Sequence, residues 1–282
     1  MPYACGVQLV GLDVGFSETR PSSGVATLAR GVVRVGRARA TWRDRIRLLR
    51  VIRRAAVAAI DAPVLPALDH AVRPCERLLA RGLFQRRCKP GFSHVPGTGL
   101  RLREAGMETA RQLHDLVSDA MPLVSFPRVF GRRNVVEAFP NAFLGVCVDE
   151  SQFESAPRLP RGRKFDWLYE QWCAAKTFER FVACAASALP DCVASLCRAN
   201  RDHEERAALV CLLTAACVAS GRYVAVGEPC GGYLFLPPWP LWAAWARAEL
   251  ASQHARDASI EVWIDGVTHE SGDLLGSCIL RA

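Results

Sequence analysis

Lysine is almost missing from this chain. Lys89, Lys164 and Lys176 are the only ones, so the net charge of +8 rests on arginine. The planar guanidinium suits bidentate contacts to phosphate, which favours a polyanionic partner. An arginine-for-lysine surface from a GC-rich coding sequence accounts for the same balance without any partner. Also missing is an uninterrupted apolar run of the roughly 18 residues that a membrane span needs. The most apolar stretch, 207–219, is too short. The start, MPYACGVQLVGLDVG, has no basic segment ahead of its apolar residues, and Asp13 interrupts them. It reads as a first strand and not a secretory signal. No membrane association and a cytoplasmic location are therefore expected. The twelve cysteines form no CxxC pair. Cys184, Cys211 and Cys217 lie in apolar helical stretches, and Cys192 and Cys197 have no Cys or His partner at zinc spacing, so all read as small buried hydrophobes. There is no internal repeat and no low-complexity tract.

What is present is enough apolar material, 50% of 282 residues, for one large α/β domain or two small ones. We expect a single domain over 1–282, with an insertion at about 64–130 and a C-terminal extension from about 240. Gly6 to Val14, Gly24 to Leu28 and Val32 to Arg37 read as a three-strand meander, the last two joined at Arg30-Gly31. Trp42, Ile46, Leu49 and Ile52 recur at helical spacing among arginines, predicting an amphipathic helix with a basic outer face. VAAIDAP then reads as a buried strand closing at Asp61 before Pro63, giving the order βββαβ. Between Pro63 and about Pro127 strand signals are few, although 104–116 suits a helix. Residues 134–140 return to strand pattern, 150–163 read as a loop, and a helix is expected around 165–189. Asp202 opens the most apolar helix, YVAVG and GYLFLP follow as strands, and EVWIDG reads as a last edge strand.

Asp13 beside Gly15 and Asp61 before Ala62-Pro63 occupy matching positions at strand ends. If the fourth strand pairs in parallel with the first, a right-handed crossover puts both carboxylates side by side. Two such charges repel, and a divalent cation resolves the conflict while activating water for phosphodiester hydrolysis. Glu137, in VVEAFP, and the group Asp202, Glu204 and Glu205 are candidates to complete the site. Asp202 and Glu205 have the D-x-x-E spacing of a capping box, which accounts for them without chemistry and leaves Glu204. Asp13 and Asp61 are also ordinary strand-end residues taken singly; their joint appearance raises the functional reading. His203 adjoins the acidic group, but a histidine at a helix start is more often a surface residue and is assigned no role. GGYLF with PPWPLWAAW carries aromatics that stack bases in some proteins and pack cores in more. The basic runs RDRIRLLRVIRR, LARGLFQRR and PRGRK suit a phosphate backbone.

Several segments together resemble a family: GLDVGFSETRPSSGVATL (11–28), AIDAPV (59–64), VRPCERLL (72–79), VVEAFP (135–140), KFDWLY (164–169), ERAALVCLLTA (205–215) and GYLFLP (232–237). In that order they are similar to domain-of-unknown-function family 429, a set of predicted RNase H-like nucleases. The resemblance implies an RNase H-like mixed sheet, a three-strand meander followed by parallel strands, flanked by helices with the insertion over it. It carries the first-strand Asp onto Asp13, the IDAP Asp onto Asp61, the RxCE residues onto Arg73, Cys75 and Glu76, and the strand Glu onto Glu137. The family's late helix reads D-A-L where this chain has Ala207 before Ala208 and Leu209, so Glu204, a helical turn earlier, is the substitute carboxylate.

The leading expectation is a hydrolase of nucleic-acid phosphodiester bonds using Mg²⁺ or Mn²⁺. Asp13, Asp61, Glu137 and Glu204 are its catalytic candidates, Asp13, Asp61 and Glu204 its metal ligands, and Arg73 and Glu76 its substrate contacts, with Arg73 on phosphate. Two other readings stand beside it. One is a catalytically weakened nucleic-acid-binding or scaffold protein, favoured by Ala207. The other is an actin-like ATP-dependent phosphotransferase, which shares the opening D-x-G strand but needs a glycine-rich loop stronger than Gly231-Gly232. The sequence carries no signal for DNA against RNA, for endo against exo action or for oligomeric state.

Overall fold

β-rich apolar runs, the second and third joined by a two-residue turn, build the first sheet strands. β1 (Leu9–Asp13), β2 (Ser23–Ala29) and β3 (Val32–Ala38) form the expected antiparallel meander in the computed structural model. That structure describes residues 6–65, 72–88, 92–120, 124–159, 162–185 and 188–276. Arg30 and Gly31 close the β2–β3 hairpin with φ of 53° and 72°, the left-handed pair whose twist matches that of the strands it joins. α1 (Trp42–Leu49) then crosses to β4 (Val57–Asp61), which pairs in parallel with β1. The βββαβ order is as expected.

The insertion contains more helix than its Gly, Pro and Arg content suggested: α2 (Pro74–Leu79), α3 (Gly82–Cys88) and α4 (Thr98–Leu113). Pro74 at the first helical position starts α2, a place where its missing N–H costs nothing. β5 (Val135–Ala138) and α5 (Pro140–Gly145) follow. The stretch expected to be a loop from 150 opens with α6 (Glu150–Glu154), where the Asp149 N–H donates to Gln152 Oε1. The single helix expected over 165–189 is two, α7 (Lys164–Ala174) and α8 (Lys176–Ala185). They break at Ala175, where ψ is 150°. The break lets Phe178 and Phe181 each pack edge to face on Trp172.

After α9 (Val193–Ala199) comes α10 (His203–Ala219), buried continuously from Arg206 to Val218. A helix apolar all round belongs in a core. β6 (Val224–Glu228), β7 (Gly232–Leu236), α11 (Ala244–Arg256), β8 (Glu261–Ile264), β9 (Val267–His269) and α12 (Ser271–Gly276) complete the chain. The C-terminal stretch therefore extends the sheet instead of standing outside it. EVWIDG is not the edge, because Asp265 and Gly266, with φ of 48° and 88°, turn the chain into β9, which covers β8.

The result is an α/β protein with a nine-stranded mixed sheet, in the order β3-β2-β1-β4-β5-β7-β6-β8-β9, flanked by helices. One face packs Val10, Leu12, Ala58 and Ile60 against Leu49 of α1 and Ala110 and Leu113 of α4. The other packs Leu9, Val57 and Ala59 against α10 and the aromatic cluster of α5, α7 and α8. Gly11 and Gly24 let α10 lie directly on the sheet. A Cβ on Gly11 would sit 2.1 Å from Leu212 N, and one on Gly24 1.9 Å from the Glu204 carbonyl oxygen. All ten cysteines among the described residues are free thiols, and no described helix is long and apolar enough to cross a membrane.

Candidate carboxylate site

Parallel pairing brings Asp13 of β1 opposite Asp61 of β4, both at the strands' carboxyl ends. Antiparallel pairing on the other side sets Gly24 opposite Asp13 and Arg37 opposite Gly24. One row thus runs Arg37, Gly24, Asp13, Asp61 across four strands, each step about 4.8 Å. Because Gly24 lacks a Cβ, the first turn of α10 rests on this row and carries Glu204 to the side of Asp13. The Glu204 carboxylate itself turns to Arg37, 3.6 Å away. Of the capping box that the spacing implied, one half forms: the Asp202 carboxylate accepts from the Glu205 N–H at 3.1 Å, while the Asp202 N–H donates to Asn200 Oδ1 at 3.0 Å and Glu205 Oε2 accepts from Asn200 Nδ2 at 2.7 Å.

Burial dominates the electrostatics. It raises the Asp13 carboxyl from 3.8 to about 7, with Glu204 adding to the rise while His203, Arg45 and the Gly24 backbone oppose it. Asp61 is pushed well above its ordinary value by burial, then by the charges of Asp13 and Glu137. Cys211 of α10, close to both, is held as a neutral thiol by burial and by the same two carboxylates. His203 sets its Nδ1 3.1 Å from Asp166, which also receives Arg206 Nη1 at 3.1 Å, so the KFDWLY segment anchors the start of α10.

Arg45 is the residue that sequence reasoning missed. It was expected on the basic outer face of α1, yet it is 2% exposed. Its guanidinium donates to Ser23 Oγ at 2.9 Å, Thr109 Oγ1 at 2.8 Å and the Gly15 carbonyl at 3.2 Å. Burial lowers its pKa to about 10, and the nearby Asp13 charge works against that. The signal was present: Arg45 lies three residues after Trp42 and four before Leu49, on the inward stripe.

Glu137 sits differently from Asp61. In the β4–β5 register it is opposite Ile60, not Asp61. Strand alternation places it with Val135 on the α4 side, whereas Asp61 alternates with Ala59 and Val57 toward α10. There Glu137 forms a bidentate pair with Arg73, both contacts 2.7 Å. Burial raises its carboxyl and Arg73 pulls it back. Arg73 Nε and Nη2 also donate to Glu76 Oε1, at 3.0 and 2.7 Å, and Nη1 donates to the Gly231 carbonyl at 3.2 Å. All five guanidinium N–H groups are engaged, which leaves Arg73 no donor for the substrate phosphate expected of it. The same bond ties Gly231-Gly232 into the β6–β7 turn. Ser93, from the insertion, donates through Oγ to Glu76 Oε1 and accepts from Arg103 Nε at 2.7 Å.

Two cavities flank these groups. One, of about 510 Å³, is lined by Asp61, Arg73, Glu76, Ser93 and Glu137 with apolar residues of the insertion. The other, of about 520 Å³, is an open groove lined by Arg37, Arg39, Arg43 and Arg47 together with Glu18 and Asp44. The tryptophans of PPWPLWAAW are buried, with Trp242 Nε1 donating to the Pro237 carbonyl and Trp245 Nε1 to that of Val148, so they pack the core and offer no stacking platform. Among the described residues no three or more His, Cys, Asp and Glu side chains are disposed together to hold a metal ion. Asp13 and Asp61 are a pair, and Glu204 faces Arg37. No family model, no curated protein and no solved structure matches the chain.

Proposed function

We propose that the chain is an RNase H-like hydrolase that cuts phosphodiester bonds in nucleic acid with Mg²⁺ or Mn²⁺, the activity its resemblance to family 429 implies. The observation that carries this reading is the in-register pairing of Asp13 with Asp61 at one sheet edge. The pair fits a hard divalent cation in donor type and charge. Its donors are carboxylates on residues paired across adjacent strands, and ions such as Mg²⁺ use one or two protein carboxylates and complete their shell with water and substrate phosphate. Burial lifts both acids, Glu204 adds to the rise at Asp13 and the Asp13 charge to that at Asp61, and a cation between them offsets this crowding of negative charge. Asp13 and Asp61 would hold the ion, with Glu204 alongside in place of the carboxylate absent at Ala207. When bound, it supplies a more acidic water and charge for the leaving oxygen.

The chain's own groups do the rest. Arg45 fixes the β1–β2 loop through Gly15 and Ser23 and so holds Asp13 in line. Arg39, Arg43 and Arg47, exposed on the side of the row away from Asp61, meet the phosphate backbone. Burial and the Glu204 charge favour the protonated Asp13 carboxyl in the metal-free protein, so binding of a cation displaces a proton and tightens as pH rises.

The test is cleavage of labelled single- and double-stranded DNA and RNA with Mn²⁺, wild type against Asp13→Asn purified identically. Metal-dependent cutting that disappears in the variant is expected. No cutting, or equal cutting by both, sinks the carboxylate mechanism. Binding without cutting supports the second reading, a non-catalytic nucleic-acid-binding protein, which Ala207 and the two-carboxylate site favour.

A further inference from the structure

The two ends of the sheet are built differently. β9 is three residues long, and the alternation that starts at its two-residue turn leaves only Thr268 with its N–H and C=O pointing away from β8. β3 closes the other end with seven residues, paired to β2 in unbroken register and without a proline. Ala29 and Val32 flank the Arg30-Gly31 turn and form its hydrogen-bonded pair, so Arg34, Gly36 and Ala38 also face β2. Val33, Val35 and Arg37 then turn their N–H and C=O groups outward, and none of these bonds to a described residue beyond the strand pair.

The side chains along this edge are apolar or positive. Val32 is 50% exposed, Val33 and Val35 are only partly buried, and Arg30 and Arg34 are exposed with no ion-pair partner among the described residues. Sheets blunt an open edge by shortness, proline, bulges or charge, and here arginine is the only guard. Charge of one sign repels a second copy of the same strand and attracts a strand of the opposite sign. A phosphate backbone offers acceptors alone and would leave the outward carbonyls unpaired, whereas a peptide supplies both halves of the ladder.

We propose that the β3 edge docks an extended acidic segment of a partner protein, which joins the nine-stranded sheet as a further antiparallel or parallel strand. Its backbone pairs with Val33, Val35 and Arg37, a carboxylate lies across from Arg34, and a β-branched residue covers Val32. The edge is two strands away from Asp13, so this assignment stands or falls separately from the carboxylate reading.

The experiment is fluorescence anisotropy of labelled peptides of alternating valine and glutamate, or valine and lysine, matched in length to the seven residues of β3. The full chain is expected to bind the glutamate peptide about tenfold or more tightly than the lysine peptide, because each cross-strand charge pair changes sign between them. Val35→Pro removes one outward N–H and no bond to β2, a change that edge strands tolerate, and should abolish most of the binding. Arg34→Glu, at an exposed position, should shift the preference toward the lysine peptide and keeps the test alive if the proline variant unfolds. No saturable binding of the glutamate peptide, equal binding of both peptides, or binding that survives Val35→Pro in the folded protein overturns the proposal. A dimer seen by light scattering that Val35→Pro dissociates would give the edge to a second copy and also overturn it. So would an oligonucleotide whose binding is lost in Val35→Pro to the same extent as the peptide's.

Discussion

Asp13→Asn should make the metal-free protein more stable, by an amount that depends on pH. The Asp13 carboxyl stands at about 7 in the folded chain against an ordinary 3.8. Well below 3.8 it is protonated in both folded and unfolded states and contributes nothing. Between those values the folded chain keeps a proton that the unfolded chain has released, so stability falls as pH rises and levels off above about 7. Each tenfold change in an acid constant is worth about 1.4 kcal/mol, so a rise from 3.8 to about 7 corresponds to roughly 4 kcal/mol. Asp13 is partly exposed, and screening by water reduces this to about 2 kcal/mol. Asparagine keeps the shape and cannot ionise. Urea denaturation in chelator, followed by tryptophan fluorescence, should give similar stabilities for the two proteins near pH 4 and a gain of about 2 kcal/mol for the variant near pH 8.5. Added Mn²⁺ should then stabilise the wild type and not the variant, by mass action. A pH-independent difference, or a wild type favoured above pH 7, would refute the reasoning. It would mean that His203 and Arg45 outweigh burial and Glu204 at this carboxylate.

Three further outcomes follow from packing and charge. Gly11→Ala forces a methyl against the α10 backbone at Leu212, which cannot yield as a flexible side chain would, so a loss of about 3 kcal/mol and a clear fall in Tm are expected; an unchanged Tm would show that α10 does not lie on β1 as described. Arg73→Ala strands Glu137 and Glu76 without their cation and should cost about 3–5 kcal/mol. Arg73→Lys should rescue little of it in the same denaturation assay, because one ammonium cannot bridge two carboxylates and the Gly231 carbonyl in a fixed fork. Replacing Arg43 and Arg47 by alanine should lower the slope of log affinity against log salt for duplex DNA by about 0.9 for each phosphate that is no longer neutralised. An unchanged slope would remove the arginine groove from the nucleic-acid path.

Local patterns in the chain carry much of this architecture. Arg30-Gly31 between two β-rich runs specifies a hairpin, the amphipathic stripe from Trp42 specifies a helix, and the buried run ending at Asp61 specifies a strand that can return only beside β1. Those three facts already set Asp13 next to Asp61, because a short right-handed crossover leaves few alternatives. The continuous apolar run after Asp202 likewise specifies a buried helix. What tertiary structure alone decided is which face and which partner each charged group takes. Asp61 ends β4 while Glu137 is the last residue but one of β5, and pairing of Glu137 with Ile60 points the two carboxylates to opposite faces, a register that depends on how the strands meet. Arg73 reaches Glu137 sixty-four residues away and Gly231 a hundred and fifty-eight away, bonds that depend on where the insertion folds back. The cavity beside Asp61 exists for the same reason: helices of the insertion, weakly patterned in sequence, gain their stability from packing on the sheet and become legible only once the sheet is there.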